Sequence, residues 1–341
     1  MEKFCSYPFK RVHFSTAGNA YLCCSAWLPQ SIGNIFKDNF NLVWNSKTAL
    51  EIRSSILDGS FRFCKKDICP RIISGQIEKE PLLDKYKTIM EAKRVHLDNS
   101  PEEISLNYDY SCNLQCKSCR DEKKIIDKDT AEMLIRFQNS FLDSELYKNV
   151  GRLTVTGVGE PFFSRVFMDL FSKIDSGKNQ SLKITLRTNG MLLTPENWEK
   201  IKNAHFAIDL VSISIDAATG ETYRKLRVGG DFNRLMTNLE FLGQIKKYKK
   251  LKIMLHFVVQ EENFEEMPAF LELARRFDCD NVVFAQLMNL GTYSKEEYNR
   301  LAIHHPDHPQ FQKLKSIIRN PIFKDPIVSF DNLSHLLKEE N

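Results

Sequence analysis

Three thiols stand within eight residues of one another in this chain: Cys112, Cys116 and Cys119, in the run SCNLQCKSCR from Ser111 to Arg120. The C-x3-C-x2-C spacing makes three sulfurs converge from one short loop, which suits a shared metal centre and strains any disulfide among them. A structural zinc site takes four closed ligands, and no further Cys or His follows this loop until His205. Catalytic zinc keeps an open position, but usually with His or carboxylate among its ligands. A four-iron cluster is normally held by four thiolates, so three would leave one iron open to an outside ligand. That iron would be a place for chemistry. On spacing alone, part of a zinc ribbon stays open as the alternative.

The rest of the composition narrows the setting. The chain has 341 residues, 42% hydrophobic and 27% charged, as in an ordinary globular protein long enough for one large domain and a small one. No apolar run approaches the roughly 20 residues that span a bilayer, and the first residues, MEKFCSYPFKRVHF, lack signal-peptide character. A cytoplasmic location with no membrane association is the expectation. The net charge of +4 is nearly balanced, so a dominant nucleic-acid face is not expected. The one basic knot, KKYKK at 246–250, reads as the solvated end of a helix. Nine cysteines, eight of them before residue 120, read in a reducing compartment as metal ligands, while Cys279 stands apart as a small buried residue.

The elements that must position the loop follow a β-α repetition. Strand-like runs lie at 104–110, 152–157, 183–188, 210–215, 252–259 and 281–287, with helical patterns between them. Such repetition implies parallel strands with right-handed crossovers, and six repeats fit an open partial (β/α)6 TIM-type barrel in an α/β chain. In that architecture chemistry sits at the C-terminal ends of the strands, and the cysteine loop follows the first one. Residues 1–75 read as a small unit with its own set, Cys5, Cys23, Cys24, Cys64 and Cys69, and a hairpin turn at Gly18-Asn19. A unit this small needs a staple, and a metal centre is the natural one. Residues 76–100 read as a helical linker, 101–290 as the core, and 291–341 as a tail that caps the open barrel or lines its entrance.

The other strand ends carry polar and glycine residues. Gly157-Val158-Gly159-Glu160-Pro161 follows the second strand, where Phe162 occupies the place of a third glycine and rules out a dinucleotide-binding loop. Small residues there let backbone approach a ligand, and Glu160 can accept from an ammonium. Arg187-Thr188-Asn189-Gly190 ends the third strand, Ser212-Ile213-Ser214-Ile215-Asp216 the fourth, and Val258-Val259-Gln260 the fifth, ahead of Asn263. Each has a bland alternative as a turn or a helix cap, with Asp216 or Thr219 as the capping residue. Arg187 and Arg227 can each match a carboxylate bidentately. His256 reads as a barrel-lining or core histidine, and His304, His305 and His308 suit a turn and cap as well as a metal.

Taken in order, these motifs resemble the radical S-adenosylmethionine (SAM) superfamily. The resemblance covers residues 1 to about 290. It implies a [4Fe–4S] cluster on Cys112, Cys116 and Cys119, with SAM on the fourth iron. Where the family has an aromatic residue before the last cysteine, this chain has Ser118. It further implies SAM contacts from Gly159, Glu160, Thr188, Asn189, Ser214 and Asp216, with Arg227 or Arg187 on the SAM carboxylate. The N-terminal order Cys5, Gly18, Cys23-Cys24, Gly33-Asn34, Trp44-Asn45, Arg53, Phe63, Cys64 and Cys69 resembles the auxiliary-cluster modules called SPASM or Twitch. That resemblance implies a second [4Fe–4S] cluster on Cys5, Cys23, Cys64 and Cys69, leaving Cys24 spare. A structural zinc ribbon is its alternative.

The activity implied is reductive cleavage of SAM to a 5′-deoxyadenosyl radical, which abstracts hydrogen from a substrate. An external donor such as flavodoxin or ferredoxin would supply the electron. The SPASM/Twitch likeness points to a peptide or protein substrate, modified by crosslinking, thioether formation or maturation. Oxidation of a sugar or aminoglycoside alcohol competes with it. The reading of another class is a non-catalytic protein with two structural zinc sites.

Overall fold

Strand periodicity decides the architecture. The computed structural model describes residues 3–79 and 83–337; residues 1–2, residues 80–82 of the expected linker and residues 338–341 of the tail lie outside the described residues. The first strands are β1 (Arg11–Ser15), β2 (Asn19–Tyr21) and β3 (Gly33–Asn34), then β4 (Glu103–Asn107), β5 (Gln115–Cys116) and β6 (Arg152–Val155). There follow β7 (Lys183–Thr188), β8 (Ile208–Ser214), β9 (Arg227–Val228), β10 (Lys252–Val259), β11 (Asn281–Gln286) and β12 (Val328–Phe330). Ten of these form one sheet in the order β12-β11-β10-β8-β7-β6-β4-β1-β2-β3, and β5 pairs with β9 apart from it.

The six expected repeats are present, as a partial barrel of parallel strands wrapped by helices. Their connecting helices start where side chains satisfy the orphaned N–H groups. Asp127, Ser164, Thr194, Thr219 and Asp231 each accept from the backbone N–H three residues on. Alternation along each strand then sorts the residues. One face, including Ile104, Leu106, Leu153, Val155, Ile184, Leu186, Ile253, Leu255 and Phe257, is buried. In β1, β6, β10 and β11 the other face is only half-buried. It carries His13, Asn107, Thr154, Arg187, Ser212, Ser214 and His256. A closed TIM barrel fills its centre with packed side chains. This barrel is open, and its polar inner face borders a hollow.

Both ends of the chain join the same sheet. The first 75 residues are not packed as a separate unit: β1 pairs in parallel with β4 from Arg11↔Glu103 to Ser15↔Asn107, and β2 and β3 extend the edge antiparallel. On the far side the tail does more than cap, since β12 adds a parallel strand beside β11. Three strands separate β12 from β7, roughly 19 Å on a flat sheet at the usual spacing. Yet Asp331, the residue after β12, and Arg187 of β7 feel each other's charge, and Cys69 of the first segment feels Asp331. The sheet therefore curls until tail and N-terminal segment face each other across the opening.

One buried arginine holds the N-terminal segment together. Arg53 is fully buried and donates to Pro8 O, Trp44 O, Val95 O and Asn45 Oδ1 at 2.9–3.0 Å, with its guanidinium 4.3 Å above the Trp44 ring. Trp44 Nε1 and Asn45 Nδ2 then donate to Asn99 O and Leu97 O, so the stretch before β4 is tied down as well.

Candidate functional site

The three thiols of the loop line one wall of a cavity of about 160 Å³ at the C-terminal ends of the strands. The opposite walls come from Gly157, Val158 and Gly159 after β6, from Arg187, Thr188 and Asn189 of β7 and its end, and from Ser212, Ser214, Arg227 and His256. Buried Asp109 aims the loop: one oxygen accepts from Ser111 N at 2.7 Å and the other from Ser164 Oγ, the cap of the helix Arg165–Lys173. Glu160 N donates to Ser111 O at 2.9 Å, which draws the second strand end against the loop. A Cβ on Gly159 would stand 2.5 Å from Asp109 O and 2.8 Å from Ser111 O, so only glycine fits. The close approach that glycine permits here is to the loop's own backbone.

Every sulfur of the loop has an N–H donor. Asn189 Nδ2 lies 3.7 Å and Leu114 N 3.5 Å from Cys112 Sγ, Arg227 Nη1 3.5 Å from Cys116 Sγ, and Arg120 Nη2 3.4 Å from Cys119 Sγ. Arg120 also bridges Tyr110 O and Val158 O, joining the loop to the turn after β6. The pairing Cys116↔Arg227 between β5 and β9 clamps the loop from the other side. Neither Arg120 nor this clamp stands out in the sequence, because two-residue strands have no periodicity and an arginine after a cysteine is unremarked. Burial raises the Cys112 thiol to about 11, against the opposing effect of Leu114 N–H, and raises Cys116 despite Arg227.

Two carboxylates expected on the ligand side stand elsewhere. Glu160 is fully buried behind the wall, where it accepts from Asn189 N at 2.7 Å, Thr188 Oγ1 at 2.8 Å and Phe162 N at 3.2 Å. Burial lifts its pKa to about 7, partly offset by those donors. Asp216 is buried too, at φ 63°, and pairs with Arg227 Nη2 at 2.6 Å while accepting from Val258 N. Both carboxylates brace the strand ends rather than line the cavity. Arg227 is thereby committed to Asp216, although its Nε is a buried donor without a partner. Thr219, not Asp216, caps the next helix. Asn263 ties the fourth and fifth strand ends through Asp216 O and Val258 O.

The N-terminal set forms a second, drier site. Cys5, Cys23, Cys64 and Cys69 line one small apolar pocket of about 20 Å³ with Tyr7, Trp27 and Phe61. Cys24 is not on that wall; its electrostatic neighbours are Cys23 of the set and Arg187 in the barrel. Burial raises Cys23 strongly and Cys64 to about 12, and the neighbouring thiols add to both shifts. Trp27 Nε1 is a buried donor without a partner on this wall. In the tail, His308 is used locally, with Nε2 on Arg300 O and Nδ1 accepting from Gln310 N. No disulfide forms among the described cysteines.

A loop of three thiols after the first strand of an open parallel barrel, with a separate four-thiol pocket, is the layout of a protein with two thiolate-held metal centres. Residues 109–274 match the family model of the radical SAM superfamily, and residues 5–71 match that of an iron–sulfur cluster-binding domain. The chain belongs to the radical SAM superfamily and carries a SPASM-type cluster domain before the core. These domains imply SAM and [4Fe–4S] clusters as cofactors. The residues present fit them in kind: three thiols line the cavity and four the apolar pocket, although among the described residues no three Cys, His, Asp or Glu are gathered as a ready metal site, and each wall offers an unpartnered buried donor, Arg227 Nε or Trp27 Nε1, to an acceptor-rich group.

Among curated proteins the chain is similar to AdoMet-dependent heme synthase of Methanosarcina barkeri, 28% identical over 53% of this chain and 49% of that one. It is also similar to GTP 3′,8-cyclase of Alkaliphilus oremlandii, 29% identical over 54% of this chain and 55% of that one. The chain thus matches about half the length of these relatives. Among solved structures it resembles Streptococcus suis SuiB bound to precursor peptide SuiA, with 17% identity, a TM-score of 0.47, and coverage of 88% of this chain and 67% of that one. Among the described residues no helix is long and apolar enough to cross a membrane.

Proposed function

We propose that the chain reductively cleaves SAM and directs the resulting 5′-deoxyadenosyl radical to a hydrogen atom of a peptide or protein substrate held in the open barrel. The observation that carries this reading is the cavity itself: three thiols on one wall, each with an N–H donor, facing the polar ends of successive strands. Cys112, Cys116 and Cys119 would hold the cluster that takes SAM. When bound, cluster and SAM supply one-electron cleavage of a carbon–sulfur bond, fed by an external donor such as flavodoxin or ferredoxin.

The chain's own residues do the positioning. Thr188, Asn189, Ser214 and the Gly159 backbone present polar groups to SAM, with Arg227 Nε the free donor beside them. Glu160 and Asp216 act one step back, holding Thr188, Asn189 and Arg227 in place. Cys5, Cys23, Cys64 and Cys69 would hold the second cluster in its apolar pocket. A reducing compartment such as the cytoplasm suits these thiols. The SPASM-type domain supports a peptide substrate. The polar, half-enclosed barrel interior favours the second reading, oxidation of a small polar molecule such as a sugar alcohol.

Anaerobic reconstitution tests the proposal. About eight irons per chain and 5′-deoxyadenosine on addition of dithionite and SAM are the expected results. Retained zinc without SAM cleavage would leave a scaffold with structural metal sites.

A further inference from the structure

Five arginines reach the inner face of the barrel or its mouth; three have a carboxylate, and Arg120 donates to Tyr110 O, Val158 O and Cys119 Sγ. Arg11 pairs with Glu103 at 2.5 Å, Arg152 with Asp209 at 2.8 Å and Arg227 with Asp216 at 2.6 Å. Arg187 has none: among the described residues its guanidinium makes no hydrogen bond or ion pair with the protein. Its side chain is open to water although protein surrounds it, because the space before it is hollow. A guanidinium that no protein group claims, facing a hollow, has its donors free for a ligand.

Resting on the radical SAM reading above, we propose that Arg187 is the anchor for an oxyanion, a carboxylate or a phosphate, of the substrate. Its place fits a substrate group better than SAM. Arg120, Arg227 and Asn189 are the donors beside the loop thiols. Apart from His256 of the barrel, the groups coupled to the charge of Arg187 are Arg11, His13, Cys24, Asp331 and Tyr7, from the N-terminal segment and the tail. Arg187 also lines the cavity of the loop thiols, so a ligand on it would lie between the two cysteine sets. Asp331 senses Arg187 without reaching ion-pair distance, which leaves the guanidinium fork unoccupied.

Three neighbours, Asn107, His13 and His256, complete the cradle. Asn107 Nδ2 lies 3.1 Å from His13 Nε2, and Asn107 has room because Gly157 has no side chain: a Cβ there would stand 2.7 Å from Asn107 Oδ1 and 3.9 Å from Arg187 Nη1. His13 and His256 are held neutral by burial and by Arg187, with pKa values lowered to about 4 and about 3. They can therefore hydrogen-bond a ligand without adding charge.

The test is phenylglyoxal labelling of the anaerobic, cluster-loaded protein, read at Arg187 by mass spectrometry. With saturating SAM alone, Arg187 labels readily, because its guanidinium has no protein partner among the described residues and faces the open cavity. Inorganic phosphate, or N-acetylalanine as the carboxylate probe, then slows labelling several-fold, while N-acetylalanine amide does not. Protection by phosphate only, or by the carboxylate only, assigns the source of the oxyanion. Protection by SAM itself overturns the proposal and makes Arg187 a SAM anchor. Equal labelling under every condition, or none at all, overturns it too. Failure of the radical reading shows separately, as absence of 5′-deoxyadenosine from the same preparation.

Discussion

The two cysteine sets differ in what surrounds them. The loop thiols face a polar cavity of about 160 Å³, have N–H donors from three side chains, and include one exposed sulfur, Cys119. The N-terminal thiols number four on the pocket wall, with about 20 Å³ of apolar space and a buried indole donor, Trp27 Nε1. Three ligands in a roomy polar site suit a centre that must take a further ligand and exchange it. Four ligands in a tight dry site suit a closed one. The environment thus separates the proposed roles more sharply than the number of cysteines does.

The largest expected effect comes from removing each set in turn. C112A/C116A/C119A abolishes 5′-deoxyadenosine formation and leaves about four irons. C5A/C23A/C64A/C69A also loses about four irons but retains SAM cleavage, measured without substrate. Equal loss of SAM cleavage in both would erase the distinction. Loading should also respond to pH. Burial keeps the apo thiols protonated, with Cys112 raised to about 11 and Cys64 to about 12, so forming thiolates at neutral pH releases protons. Loading tightens as pH rises, more steeply for the N-terminal set. In the apo-protein these raised values favour the folded state below the unfolded thiol pKa, and that contribution is lost as pH rises toward 11–12. Equilibrium unfolding of apo-protein against pH reads this directly.

Next in size is Arg53, which belongs to the N-terminal segment alone. Arg53→Ala strips four acceptors of their donor, two of them fully buried, and should cost roughly 3 kcal/mol or more in urea unfolding. Arg53→Lys keeps the charge but not the fork, so it recovers only part. Gly159→Ala acts on the other site. Its methyl group would press on Asp109 O and Ser111 O, costing about 1–3 kcal/mol and displacing the loop. Iron should be lost from the loop set only. A variant that binds eight irons and cleaves SAM normally would show that the loop tolerates displacement.

What the sequence makes legible follows the range of each interaction. The six strands and their helices, and both cysteine sets, depend on spacing within short segments and could be read directly. The docking of β1 on β4 and of β12 on β11 could not, because pairing between distant segments leaves no local pattern. Residue type alone did not say where Glu160 and Asp216 point. Both were expected toward a ligand, and backbone N–H groups and Arg227 claim them instead. Arg187 and Arg227 are equal candidates in sequence; Asp216 beside one and open space before the other separate them. Trp44, Asn45 and Arg53 are legible as a family pattern, while their role as a buried hydrogen-bonding hub needs coordinates.

The smallest expected effect is the most local. Hydrogen bonds and positive charge on cluster sulfurs stabilise the reduced, more negative state and so raise the reduction potential. Arg120→Met removes the donor and charge 3.4 Å from Cys119 Sγ, and should lower the potential of the loop centre alone. Trp27→Phe keeps the apolar wall but removes the indole N–H there, and should lower the potential of the N-terminal centre alone. Redox titration followed by electron paramagnetic resonance separates the two signals. Arg120 carries a full charge and Trp27 only an N–H, so the first shift should exceed the second. If both variants move both signals, the centres are coupled through the Arg187 chamber between them, and the contrast between an open site and a closed one loses its force.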